Sequence, residues 1–133
     1  MSKNKQIIAR IFIASFTALS LVSCDHNHDR ETNITNLSDY DIWAYNTSDT
    51  VILDSTYIGA GTTITHIDES TSGKAADSPI VPTFPGDSVK IEGEKVLTKD
   101  WQNADNWSKS VVNEGDHDER LIVEFVITND DLD

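Results

Sequence analysis

Cysteine and histidine are scarce enough in this chain to be weighed one at a time: 133 residues hold one Cys and four His. Cys24 is followed by Asp25-His26-Asn27-His28-Asp29, which places a thiol, two imidazoles and two carboxylates within six positions. On an extended chain, residues i and i+2 project to the same side. His26 and His28 could then share a zinc or copper ion. A flexible segment would lose conformational freedom on holding that ion, and no fixed third ligand is at hand, so a polar spacer is the plainer reading and no metal site is assigned. Gly115-Asp116-His117-Asp118-Glu119 offers three carboxylates and an imidazole. It lacks the length and alternating oxygen order of a calcium loop, and an exposed acidic turn is expected. His66 alternates with Ile64 in a β-branched run and is expected as a partly buried, hydrogen-bonded strand residue rather than a general base.

No catalytic residue emerges. The chain has no nucleophile elbow, no HExxH pair and no phosphate-binding glycine loop. With 23 Asp and Glu residues, any pair of carboxylates is uninformative. The aromatic residues point instead to binding. Trp43 and Tyr45 share one face of a strand, and Trp101 and Trp107 bracket a segment with helical spacing. Such rings can contact sugars or protein partners, although in a small domain they also serve as core. Trp43, Tyr45, Trp101 and Trp107 are the candidate ligand contacts.

The elements that position these residues begin at the N-terminus. Lys3, Lys5 and Arg10 precede an apolar run of 12 residues, Ile11 to Val22. A basic start, a short apolar core and small residues at its end make a secretory signal. The core falls short of the roughly 20 residues that span a bilayer. Leu21-Val22-Ser23-Cys24 resembles the lipobox of bacterial lipoproteins, with an aliphatic residue, a tolerant position, a small residue and the cysteine. The resemblance implies cleavage between Ser23 and Cys24, a diacylglyceryl group on the Cys24 sulfur and acylation, such as palmitate, of the freed amine. Several chains on one residue anchor durably, since each buried methylene contributes about 0.8 kcal/mol. A lipidated Cys24 leaves no thiol for redox chemistry or for a disulfide.

Cleavage removes three of the ten basic residues and none of the 23 acidic ones, leaving a net charge of −16 on 110 residues. That charge repels phosphate backbones, so nucleic acid is not an expected partner. The expected partners are the membrane, through the N-terminal acyl chains, and an envelope protein or glycan. No cofactor is implied. Residues 24–31 are expected as the lipidated cysteine and a charged tether, with one domain over residues 32–133. The acidic tether resembles the export signals of surface lipoproteins in Bacteroidota-type envelopes, which implies an outer-membrane location, periplasmic or surface-facing. An Asp directly after the lipid-bearing Cys also resembles an inner-membrane retention signal of enteric bacteria, so the leaflet stays open.

Residues 32–67 read as a meander of up to four strands: Thr32 to Leu37, Tyr40 to Asn46, Val51 to Ile58 and Thr62 to Ile67, with Ser38-Asp39 and Gly59-Ala60-Gly61 as turns. A long loop is expected over 68–79. Pro79, Pro82 and Pro85 then mark an edge or crossover segment, because proline donates no ladder hydrogen bond. Ser88 to Glu92 is a short strand, against which Lys95 to Thr98 could pair back. Asp100 to Val112 is expected as a short helix or an irregular loop pinned by its tryptophans. Leu121 to Thr128 is the strongest strand and is placed centrally, ahead of an acidic tail. The sum is a mainly β fold: a small antiparallel β-sandwich, immunoglobulin-like or barrel-like, of about seven short strands with at most one short helix.

Ile34-Thr35-Asn36, Trp107 and Ile127-Thr128-Asn129-Asp130 make the body similar to small Bacteroidota-type envelope lipoproteins. Asp49-Thr50-Val51, Asp54-Ser55-Thr56 and Asp87-Ser88-Val89 resemble O-glycosylation sites of such envelopes, which makes Thr50, Ser55 and Ser88 candidate acceptors. The expected protein is a lipid-anchored envelope binding or structural module. The alternatives are an envelope hydrolase with a carboxylate-based site and a metal-binding surface module.

Overall fold

The computed structural model describes residues 26–116 and 118–133. The expected signal peptide, the Ser23–Cys24 junction and His117 lie outside the described residues. Among the described residues there are seven strands: β1 (Asn27–Asn36), β2 (Ile42–Ser48), β3 (Val51–Ile58), β4 (Thr63–Ser72), β5 (Ser88–Ile91), β6 (Ser108–Asn113) and β7 (Asp118–Ile127). They form a four-stranded sheet in the order β4-β1-β7-β6 and a three-stranded sheet in the order β3-β2-β5. The fold is therefore a small, mainly β sandwich. Among the described residues the helical content is short 3₁₀ turns only, and no helix is long and apolar enough to cross a membrane.

Alternation builds the core. Leu121, Val123, Phe125 and Ile127 point inward from β7, Ile34 from β1, and Ile42, Ile58 and Ile91 from the facing sheet. Fully burying an aliphatic or aromatic side chain of this size stabilises by roughly 1.5–3 kcal/mol. β7 lies between β1 and β6, as its apolar residues on both faces led one to expect.

Several expectations are corrected. β1 and β7 run parallel, in register from Asn27↔Asp118 to Asn36↔Ile127, so the sandwich is not wholly antiparallel. The first four strands are not a meander. β1 pairs with β4, and β2 and β3 belong to the other sheet. Ser38-Asp39 is a corner between sheets rather than a hairpin turn, and Asn36 is what fixes it. The buried Asn36 amide donates to the carbonyls of Tyr40 (2.8 Å) and Ile58 (3.1 Å). Its Oδ1 accepts from the Ser38 amide (3.1 Å) and hydroxyl (2.6 Å). Parallel pairing brings Asn129 to the same corner, where its Oδ1 accepts from the Asp39 amide at 3.0 Å.

The expected tether is also strand. Residues 27–31 pair with β4 on one side and β7 on the other, so the sheet begins three residues after Cys24. Two of its charged side chains are paired: Arg120 bridges Glu31 (3.2 Å) and Glu114 (2.6 Å), and Arg30 lies 3.7 Å from Asp68. The same pairing prolongs β4 to Ser72, into the expected loop. The segment Asp100 to Val112 is not helical beyond one 3₁₀ turn, Ala104–Asn106, and then becomes β6. The indole Nε1 of Trp107 donates to the Trp101 carbonyl at 2.8 Å, and β-branched Val111 and Val112 suit the β7 edge. Residues 95–98 pair with the C-terminus rather than with β5. Val96 and Asp133 exchange backbone hydrogen bonds of 3.0 Å, which orders the acidic tail.

Candidate binding site

The three-stranded sheet does not cover its partner completely. On the side where β3 and β4 are the outer strands, an apolar cleft of about 370 Å³ opens into the core. Thr32 and Ile34 of β1 and Ile64, Thr65 and His66 of β4 form one wall. Thr56 of β3 faces them, and Thr83, Phe84 and Pro85 close one end.

That end is held by backbone contact. A Cβ on Gly86 would sit 2.6 Å from the Tyr45 backbone nitrogen, so only glycine lets the chain press against β2 there. Asn46 Nδ2 donates to the Pro85 carbonyl at 3.2 Å, and Arg30 donates to the Val81 carbonyl. Phe84 stacks on Trp101 with centroids 5.2 Å apart and meets the Phe125 ring edge-on at 5.9 Å. Asp87 fastens the next residue: the Thr47 amide (2.9 Å) and hydroxyl (3.0 Å) donate to its carboxylate. The Thr47 amide is the main cause holding the Asp87 carboxyl below its ordinary range.

On the cleft wall, Thr32 is only 3% exposed and its hydroxyl has no hydrogen-bond partner. A buried polar group left unpaired costs on the order of 1–3 kcal/mol. The cleft can receive an apolar body; the Thr32 oxygen behind its wall is closed to solvent, so only a group that displaced its neighbours would hydrogen-bond to it.

The four candidate aromatics separate. Trp107 is buried in the core with its ring 5.1 Å from Phe125, so it offers no ligand surface and is corrected to a core residue. Trp101 packs on the core and edges a shallower depression with Asn46, Pro82 and Asp87. Trp43 and Tyr45 lie half-buried on the outer face of the three-stranded sheet, opposite Tyr57 and Ser55. The Trp43 and Tyr57 centroids are 5.6 Å apart. Tyr57 is hydrogen-bonded to Asp41, whose carboxylate pushes the phenol above its ordinary range.

His66 is corrected as well. Its side chain is 72% exposed on the rim, with Nε2 3.1 Å from Asp68 Oδ1. His28 is buried, and its ring nitrogens meet the Gly73 carbonyl at 2.9 Å and the Ser78 hydroxyl at 3.0 Å. Among the described residues no three His, Cys, Asp or Glu side chains gather as a metal-binding group. Asp118 and Glu119 open β7, beside Glu114 and Asp29 at one end of the sandwich. Thr50 stands in the β2–β3 turn with a φ of 75°, and Ser55 and Ser88 lie on β3 and β5.

Sequence reasoning missed Thr32, Thr56, Ile64 and Phe84 as a set. The three spaced prolines around Phe84 were the available signal. No protein-family model, curated protein or solved structure matches this chain.

Proposed function

We propose that this is a non-enzymatic binding module, a rigid β-sandwich that takes an apolar group into the cleft between its sheets. More particularly, it is a lipoprotein of a bacterial outer membrane, held through acyl chains on Cys24. The observation that carries the binding reading is the cleft wall, where the buried Thr32 hydroxyl stands unpaired among Ile34, Ile64 and Phe84. Supporting the anchor are the signal-like N-terminus and the Leu21-Val22-Ser23-Cys24 motif. Such a module would hold a partner close to the bilayer.

Both parts are open to test in the native host. Growth with an alkynyl palmitate should label the protein, and Cys24→Ser should lose the label and leave the membrane fraction. An unlabelled wild-type chain would refute the anchor. A photo-crosslinking residue placed at His66, exposed on the cleft rim, should give a discrete adduct that the same residue at Val111 on β6 does not. Identical products from both positions would refute the cleft as the site.

A further inference from the structure

The sandwich has four outer strands, and three of them are guarded. Proteins blunt exposed sheet edges with short strands, lysines, bulges or a covering segment, because unpaired N–H and C=O groups template another strand. β5 has four residues, including Lys90. β6 is capped by Lys109, whose Nζ donates to the carbonyls of Ala76 (3.0 Å) and Ser78 (2.9 Å) and draws a 3₁₀ turn over it. β4 carries a register shift and the His66–Asp68 pair.

β3 differs. It has eight residues without Lys, Arg or Pro, and among the described residues it pairs with β2 alone. Val51, Ile52 and Leu53 are 61%, 58% and 68% exposed. The one register slip lies opposite Asn46/Thr47, leaving Asp54–Ile58 regular. Thr56, in that regular stretch, lines the cleft. Side chains on neighbouring strands alternate together, so a strand laid beside Asp54–Ile58 would send every second side chain over the cleft, next to Thr56.

Charge selects the occupant. No Lys or Arg occurs between Arg30 and Lys74, a stretch that includes Asp41, Asp49, Asp54 and Asp68. A second copy of this chain, with its formal net charge of −13, would be repelled. We propose that the β3 edge binds an extended segment of another protein in which apolar and basic residues alternate. The segment hydrogen-bonds along Asp54–Ile58, the apolar side chains enter the cleft, and the basic ones lie over the outer face, where Asp41 and Glu92 flank the Tyr57 hydroxyl. This is β-strand addition, in which the main chain supplies affinity and alternate pockets supply specificity. The inference rests on the cleft being a binding site and adds the class of its occupant.

The test uses the lipidated protein in nonionic detergent and two ten-residue probe peptides, one alternating valine with lysine and one alternating valine with glutamate. The valine–lysine peptide should bind at least tenfold more tightly, weaken with salt, and slow amide exchange at Asp54–Ile58. Ser55→Lys, on the exposed face of β3, should weaken it tenfold or more. Thr56→Trp, which fills the cleft, should do the same, while Val111→Lys on β6 should change nothing. Equal binding of both peptides, binding of neither, or indifference to Ser55→Lys would overturn the proposal. So would a dimer that Ser55→Lys dissociates, which would make the occupant a second copy. A crosslinked adduct of small-molecule mass at position 66 would also overturn it, while leaving the cleft reading in place.

Discussion

β7 and β3 are both apolar, β-branched strands, and they have opposite fates. β7 has a strand on each side and the second sheet over its inner face, and Phe125 within it is 0% exposed. β3 has one neighbour, and its apolar start stands in water. A strand's own sequence reports that it can form a pleated ribbon. How much of that ribbon is covered depends on what the rest of the chain places around it.

The contrast predicts a large asymmetry under truncation. Phe125→Ala should cost about 3–5 kcal/mol, as large aromatic deletions in packed cores do. Leu53→Ala should change stability by no more than about 0.5 kcal/mol, as at an exposed site. Urea denaturation of both variants measures the difference. A loss at Leu53 approaching that at Phe125 would mean β3 is covered in solution, and the contrast between the strands would collapse.

A change of opposite sign sharpens the comparison at the cleft wall. Thr32 sits on β1, beside β7, only 3% exposed in the cleft wall, yet its buried hydroxyl has no partner. Thr32→Val keeps the branched shape and removes that group, and should raise stability by about 1 kcal/mol while weakening whatever hydrogen-bonds there. A loss of stability would show the hydroxyl to be bonded in the free protein. The position would then belong to the closed part of the molecule rather than to its open side.

What was legible follows the same division. The alternation of Leu121, Val123, Phe125 and Ile127 declares an inward face, and apolar residues on the other face declare a central strand. The start of β1 was illegible because its inward residue is His28, which is satisfied by Gly73 and Ser78, groups distant in sequence. Parallel pairing of β1 with β7 leaves no mark in either strand, because neighbours are chosen by the whole topology. Ser38-Asp39 has the composition of a hairpin turn, and only the long-range bonds of Asn36 to Ile58 and of Asp39 to Asn129 make it a corner. The tryptophans were legible as important but not as to side. Trp107 faces in because its indole finds the Trp101 carbonyl, and Trp43 faces out because Ile42 and Ala44 take the inner positions of β2. The cleft is a place left uncovered, and no local pattern encodes it.

The smallest expected effect concerns the strap that bounds the cleft. Asp87 accepts hydrogen bonds from Thr47, and its folded pKa lies below the ordinary 3.8. A carboxyl whose pKa is depressed by folding contributes stability that is fully present above the unfolded value and is lost as pH falls through the folded one. Asp87→Asn should therefore be slightly less stable than the wild type at pH 7, with the gap closing as pH falls below about 3.8. The carboxylate is solvent-exposed, so salt should narrow the gap as well. Urea midpoints at pH 7 and pH 3, with and without added salt, measure it. A gap independent of pH would assign the strap's position to the Gly86–Tyr45 contact alone. It would make the cleft's closed end a matter of backbone packing, like the β1–β7 pair, and leave only the β3 side open to adjustment by charge.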